Sequence, residues 1–193
     1  MSKKYKIIAL TGAAGSGKDT LIYELMNNSE NKKYFNRIIR TTTRPKREGE
    51  TNGVSYHFCD KEEFLKLIKN DSLLEYNVFN NWRYGIQYKD LDINKINIGE
   101  FNPYSLREIC VLPNVDVRVF WVTASDNTRL IRQLSRETNP NIEEIFRRYC
   151  ADKKDFDMLY NSEIDYVEIK NEKVDDLYNA TSTIINSLWD DYN

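Results

Sequence analysis

The nine residues GAAGSGKDT, Gly12 to Thr20, constrain this chain more than any other stretch. They follow an apolar, β-branched run, YKIIALT (5–11), and lead into Leu21, Ile22, Leu25 and Met26 at helical spacing. A buried parallel strand, a glycine turn and an amphipathic helix in that order open an α/β fold. The turn fits the spacing GxxxxGK, in which successive backbone N–H groups point inward around an anion and the helix N-terminus adds its partial positive charge. Gly12, Ala13, Ala14, Gly15, Ser16, Gly17 and Thr20 would then line a phosphate cradle, with Lys18 reaching the terminal phosphates. Asp19 stands where a serine or threonine usually follows the lysine. It either holds a magnesium ion through water, leaving Thr20 to face a phosphate, or is a first-turn carboxylate favoured by the helix dipole.

The remaining elements continue the alternation. RIIRTTTR (37–44) predicts a second strand running into a loop, PKREGETNG is turn-rich, and VSYHF predicts a short strand. Asp60 can cap a helix with Phe64, Leu67 and Ile68 on its apolar face and Glu63 as capping-box partner. Strands are expected over 73–79, 93–98 and, most clearly, 116–125. Two helices, 127–136 and 142 to about 156, flank the turn ETNPN (137–141). The strand IDYVEI and a helix carrying Val174, Leu177, Ala180, Thr183, Ile184 and Leu188 close the chain.

Composition narrows the partners. With 193 residues, 40% hydrophobic and 30% charged, the chain suits a single domain. A net charge of -2 offers no general attraction for nucleic acid. Cys59, Cys110 and Cys150 form no CxxC pair, and His57 is the only histidine, which argues against a zinc cluster or a Ser-His-Asp triad. No apolar run approaches the roughly 18 residues of a membrane span and no signal-peptide pattern opens the chain, so a cytoplasmic location without membrane attachment is expected.

The stretch RTTTRPKREGETNGVSYHF (40–58) puts two arginine forks, Arg44 and Arg47, on one loop near Tyr56, which suits a doubly charged monophosphate; a solvated basic loop is the plainer alternative. Here the chain resembles the guanylate kinases. That family carries TTRxxRxGE, then NGxxY, then a helix, a strand bearing glutamate, and NxxYG. This chain has Thr42-Thr43-Arg44, Arg47, Gly49-Glu50, Asn52-Gly53, Tyr56, Glu75 and Asn81-Trp82-Arg83-Tyr84-Gly85. The resemblance implies that Arg44, Arg47, Tyr56 and Tyr84, with Glu50 in the same motif, serve the acceptor phosphate and that Glu75 reads the base. A carboxylate can accept both the ring N–H and the exocyclic amine of guanine, a pair that adenine lacks.

The chain also departs from that family. Arg40 replaces a base-contacting serine, Ile86 replaces a small hydroxyl residue, and the acidic DxDxxG segment becomes INIGEFNP (96–103), in which only Glu100 could stand for an aspartate. Arg40 could donate to guanine O6 or serve another base.

Arg129, Arg132 and Arg136 share one helical face, and Arg147 and Arg148 follow on the next helix. Such crowding suits a triphosphate, although Glu143 with Arg147 and Glu144 with Arg148 could be simple i, i+4 pairs. Guanylate kinases have a mobile arginine lid here, and Arg132, Arg136 and Arg148 are the matching positions; Asn171 in IKNE resembles the family's asparagine beside the adenine of ATP.

The expected architecture is therefore a three-layer P-loop NTPase fold: a central parallel sheet (core about 1–36, 91–125 and 157–193), a small acceptor-binding subdomain (about 37–90) and a helical lid (about 126–150). The resemblance implies ATP as donor with Mg2+, small nucleotides as partners, and a monomer or homodimer. Lys18, Arg44, Arg136 and Arg148 are the expected catalytic residues, and GMP or dGMP the expected acceptor. A kinase for another or modified base, and a noncatalytic module of this fold that binds phosphorylated peptides, are the alternatives.

Overall fold

The computed structural model describes residues 3–28, 32–47, 49–79, 81–136 and 138–189. Residues 29–31 and Glu137, within the polar stretch after the first helix and the inter-helix turn, lie outside them, as does Glu48. The strands are β1 Tyr5–Thr11, β2 Phe35–Arg37, β3 Thr41–Thr42, β4 His57–Phe58, β5 Leu73–Phe79, β6 Trp82–Gln87, β7 Ile96–Glu100, β8 Val115–Thr123 and β9 Tyr166–Lys170. The helices are α1 Lys18–Asn27, α2 Lys61–Lys69, α3 Pro103–Ile109, α4 Asp126–Leu134, α5 Ile142–Tyr160 and α6 Val174–Trp189. A five-stranded sheet has the order β2-β7-β1-β8-β9, with β2–β7 and β8–β9 parallel. A four-stranded sheet has the order β4-β3-β6-β5.

The chain divides into two compact units. One comprises Met1–Ile8, Tyr34–Gly99 and Tyr104–Val117; the other comprises Ala9–Lys33, Glu100–Pro103 and Arg118–Asn193.

In the first unit, α2 begins as its sequence dictates. Glu63 N–H donates to Asp60 Oδ1 at 2.7 Å and Asp60 N–H to Glu63 Oε2 at 3.1 Å, so two orphan donors are satisfied reciprocally. Phe64 is fully buried behind that cap. The hairpin β5–β6 is antiparallel, with Phe79 opposite Trp82 and Glu75 opposite Ile86; its register slips between Leu73 and Glu75, leaving Leu74 as an extra residue. β6 and α3 were not foreseen in the sequence. The expected strand over 37–44 is instead two short ones, β2 and β3. The strand expected at 93 starts at Ile96, because Asp92 and Asn97 close a turn ahead of it (Asp92 N–H to Asn97 Oδ1, 2.8 Å; Asn94 N–H to Asp92 Oδ1, 2.8 Å).

In the second unit, Leu21, Ile22 and Leu25 of α1 are buried, as are Phe120 and Val122 of β8, Ile169 of β9, and Ala180 and Ile184 of α6. At about 0.8 kcal/mol per buried methylene, such a set is the principal stabilising contribution of the unit. α4 stops at Leu134 with Ser135 as its cap, so Arg136 leaves the helical face it was expected to share with Arg129 and Arg132. α5 runs to Tyr160, four residues beyond expectation.

Candidate active site

The glycine turn joins β1 to α1 in the second unit. Gly15 (φ 80°) and Gly17 (φ 99°) adopt left-handed conformations, and a Cβ on Gly15 would overlap the backbone of Arg129. Lys18 folds back so that its ammonium donates to the carbonyls of Gly12 (2.6 Å) and Ala13 (3.3 Å). Asn171 donates to the Ser16 carbonyl at 2.7 Å. Arg132 reaches the carbonyls of Gly15 (3.3 Å) and Glu172 (3.4 Å).

A cleft of about 720 Å³ opens over this turn, lined by Gly12, Ala14, Gly15, Gly17, Lys18, Asp19 and Thr20, and on its other sides by Glu100, Arg132, Arg136, Arg148 and Asp152. Lys18, Arg132, Arg136 and Arg148 are thus brought together as expected. Ala13 and Ser16 line an adjacent cleft with Trp121, Phe156 and Tyr160. Asp19 lies 3.6 Å from Arg136, both side chains more than half exposed, so the contact contributes little by itself. Glu100, expected beside the acceptor, lines the same cleft as Lys18.

Arg129 behaves differently from Arg132, Arg136 and Arg148. It is buried, donating to the Ala14 carbonyl (3.1 Å), Asp126 (3.0 Å) and Asp152 (3.2 Å), and Asp152 also accepts from Ala14 N–H at 2.7 Å. It clamps the glycine turn to α4 and α5. Glu144 accepts from both Arg147 (2.6 and 2.9 Å) and Arg148 (2.8 Å), rather than the two arginines having one glutamate each. The Arg147 hydrogen bonds, with help from Arg148, hold its carboxyl down at about 2.

In the first unit, Arg44 and Glu50 form a bidentate pair (3.0 and 2.6 Å), and Glu50 also caps Arg47 N–H at 2.7 Å. The Arg44 guanidinium lies 5.3 Å from the Tyr56 ring, which meets Tyr84 edge-on at 6.2 Å. Hydrogen bonding from Arg44 lowers the Glu50 pKa against its partial burial. Glu50 therefore aims Arg44. The Arg47 side chain is exposed.

Glu75 is buried beside Arg40, with which it forms an ion pair, and it accepts from the Ser105 hydroxyl at 3.2 Å. Burial pushes its carboxyl up, against the pull of Arg40 and Ser105. Ser105 in turn accepts from Arg40 (3.1 Å) and Asn77 (2.6 Å). Glu108, one turn along α3, also has its pKa raised by burial and by Glu75. Sequence reasoning missed Ser105, Asn77 and Asp152. The only signal for α3 was Pro103 ahead of Leu106 and Ile109, a proline at a first helical position followed by apolar residues three apart.

A glycine loop between a parallel strand and a helix, roofed by arginines, defines a phosphate-binding-loop nucleotide protein. The guanylate kinase family profile matches residues 4–188. A guanylate kinase of Campylobacter jejuni (strain RM1221) is 29% identical over 183 residues, covering 93% of this chain and 87% of its own length. One from Helicobacter hepaticus is 32% identical over 176 residues, covering 88% and 84%. The crystal structure of guanylate kinase from Anaplasma phagocytophilum shares the fold, with a TM-score of 0.66 over 99% of this chain and 88% of that one at 20% identity. The chain belongs to the guanylate kinase family, a family of nucleoside monophosphate kinases. Among the described residues no helix is long and apolar enough to cross a membrane.

Proposed function

We infer that the chain transfers the γ-phosphoryl group of ATP to a nucleoside monophosphate, with GMP or dGMP the expected acceptor. The observation that carries this is Lys18 at the head of a cleft that also gathers Arg132, Arg136 and Arg148. Arg136 and Arg148 are already met by Asp19 and Glu144, and a triphosphate seated on the turn amides would compete with those carboxylates for the cluster of cations. The relatives named guanylate kinase support GMP as acceptor.

A monophosphate is already an anionic nucleophile, so transfer needs positioning and charge neutralisation more than a general base. Lys18 and the turn amides hold the donor phosphates, with Arg132 and Asn171 on the ATP side. Arg44, steadied by Glu50, orients the acceptor phosphate with Arg47, Tyr56 and Tyr84, while Glu75 takes the base. Arg136 and Arg148 neutralise the transferring group as water is excluded. Mg2+ fits this donor set, since it binds through one or two carboxylates and completes its shell with phosphate oxygens and water, and Asp19 offers a carboxylate in the cleft. Bound there, the ion would offset charge on the phosphates.

The test is ADP release with ATP, Mg2+ and each of GMP, dGMP, AMP, CMP, UMP and dTMP. Turnover with GMP or dGMP is expected, falling to background in Lys18→Ala with the fold retained; full activity in that variant would overturn the assignment. Acceptance of another base is the second possibility, favoured by the buried Ile86 and by the engagement of Arg40 with Glu75.

A further inference from the structure

Resting on the assignment of Arg148 to the transferring phosphoryl group, we propose that Asp152 is a positioning residue for the reaction, which ties α5 to the glycine turn at Ala14 and so fixes where Arg148 stands over the cleft.

Residue 14 is held at both of its backbone polar groups. Its N–H donates to Asp152 Oδ2 of α5 at 2.7 Å. Its carbonyl accepts from Arg129 Nε at 3.1 Å and Gln133 Nε2 at 3.4 Å, both of α4. Arg129 closes the triangle, donating from Nη2 to the same Asp152 oxygen at 3.2 Å. The glycine turn is thereby coupled to two helices at a single residue.

Helical spacing carries the consequence to Arg148. Residues four apart lie on one face of a helix, about 6 Å apart along its axis. Arg148 and Asp152 are such a pair within the unbroken α5, and both line the cleft that holds Lys18. On an ordinary surface helix an arginine and an aspartate at this spacing would pair weakly with each other. Here they turn apart. Asp152, with only 20% of its side chain exposed, faces Ala14 and Arg129, while Arg148 Nε donates to Glu144 at 2.8 Å. A carboxylate N-terminal to its cation is the better order at this spacing, so Glu144 supplies Arg148 and leaves Asp152 to anchor the helix one turn beyond.

The anchor matters because Arg148 acts by distance. A guanidinium stabilises developing charge only within hydrogen-bond reach, and a displacement of about 1 Å can cost about 100-fold in rate. The donor phosphates rest on the turn and Arg148 on α5, so the bond from Ala14 to Asp152 spans the two. Lys18 and the other turn amides hold the donor without passing through Asp152. Loss of Asp152 should therefore fall on kcat rather than on the affinity for ATP.

The experiment measures kcat and both KM values, with ATP and the preferred acceptor of the six monophosphates, on the wild type, Asp152→Ala, Asp152→Asn, Arg148→Ala and the double variant of Asp152→Ala with Arg148→Ala. Urea denaturation accompanies each. Asp152→Ala should lower kcat by about 10- to 100-fold and leave KM for ATP within about threefold. Asp152→Asn keeps an oxygen for Ala14 N–H and should recover most of that kcat. Both variants deprive Arg129 of a charged partner, so a merely structural role would lower stability and kcat alike in the two. On top of Arg148→Ala, Asp152→Ala should change kcat by less than about twofold, because the group it positions is gone. Should Asp152→Ala not fold, Asp152→Ser, whose hydroxyl falls short of Ala14 N–H, is read in the same way. With Arg148→Ala impaired, a harmless Asp152→Ala, additive losses in the double variant, or equal losses in the alanine and asparagine variants overturn the proposal and leave the kinase reading standing. Full kcat in Arg148→Ala, or a wild type that turns over none of the six, overturns the assignment of Arg148 and the proposal with it.

Discussion

Asn171 donates its side-chain amide to the carbonyl of Ser16 at 2.7 Å, so the residue after β9 grips the glycine turn directly. A Cβ on Gly17 would collide with that same amide. Gly17→Ala, strained further by its φ of 99°, should therefore lose ATP binding even though Lys18 is untouched. Asn171→Ala should raise KM for ATP by about tenfold while leaving the acceptor KM unchanged. Steady-state kinetics with each substrate varied in turn decides this; a change confined to the acceptor would sink the idea.

Arg129 is a clamp, and its loss should appear as instability. Removing the buried partner of a partly buried ion pair leaves Asp152 beside Ala14 N–H without its cation, so Arg129→Ala should lower unfolding free energy by about 2 kcal/mol. Urea denaturation measures the effect. A variant as stable as the wild type but inactive would instead mark Arg129 as a phosphate ligand.

Glu50 aims Arg44 through two hydrogen bonds. Glu50→Gln keeps the shape and loses the charge, so the acceptor KM should rise by several-fold, roughly 3 to 10, with the ATP KM unchanged. Equal changes in both would point to general unfolding of the loop, which a thermal melt would reveal.

Glu144 gives α5 an acid limit. Its folded pKa, about 2, lies below its ordinary 4.5, so its contribution to stability is fully present above 4.5 and is lost as pH falls toward 2. Thermal melts across that window should show a smaller acid-induced drop in Glu144→Gln than in the wild type. Identical drops would mean that the Arg147 and Arg148 contacts do not persist in solution.

Local rules made much of this fold legible. The capping box at Asp60 and Glu63 and the glycine spacing from Gly12 to Lys18 depend on residues only a few positions apart, and both form as expected. Harder were features set by partners distant in sequence. Arg129 looked like its neighbours Arg132 and Arg136, and its contacts with the Ala14 carbonyl and with Asp152, both distant in sequence, make it a clamp. Ser105 carries no signal of its own, because its role is defined by Arg40 and Asn77 on other elements. β6 was hidden in a motif read for its tyrosine and glycine; its strand character comes from pairing with β5 and β3 on either side.

The slip between Leu73 and Glu75 divides β5 into two independently phased parts. From Glu75 to Phe79 the side-chain alternation is counted back from the hairpin end, and Glu75 and Asn77 share a face by that count alone. Length changes in the loop before Leu73 can be absorbed at the irregular position without turning Glu75 over. A single insertion between Asn77 and Phe79, where the pairing is regular, has no such buffer, so the strand tolerates drift at one end and is phase-locked along the rest.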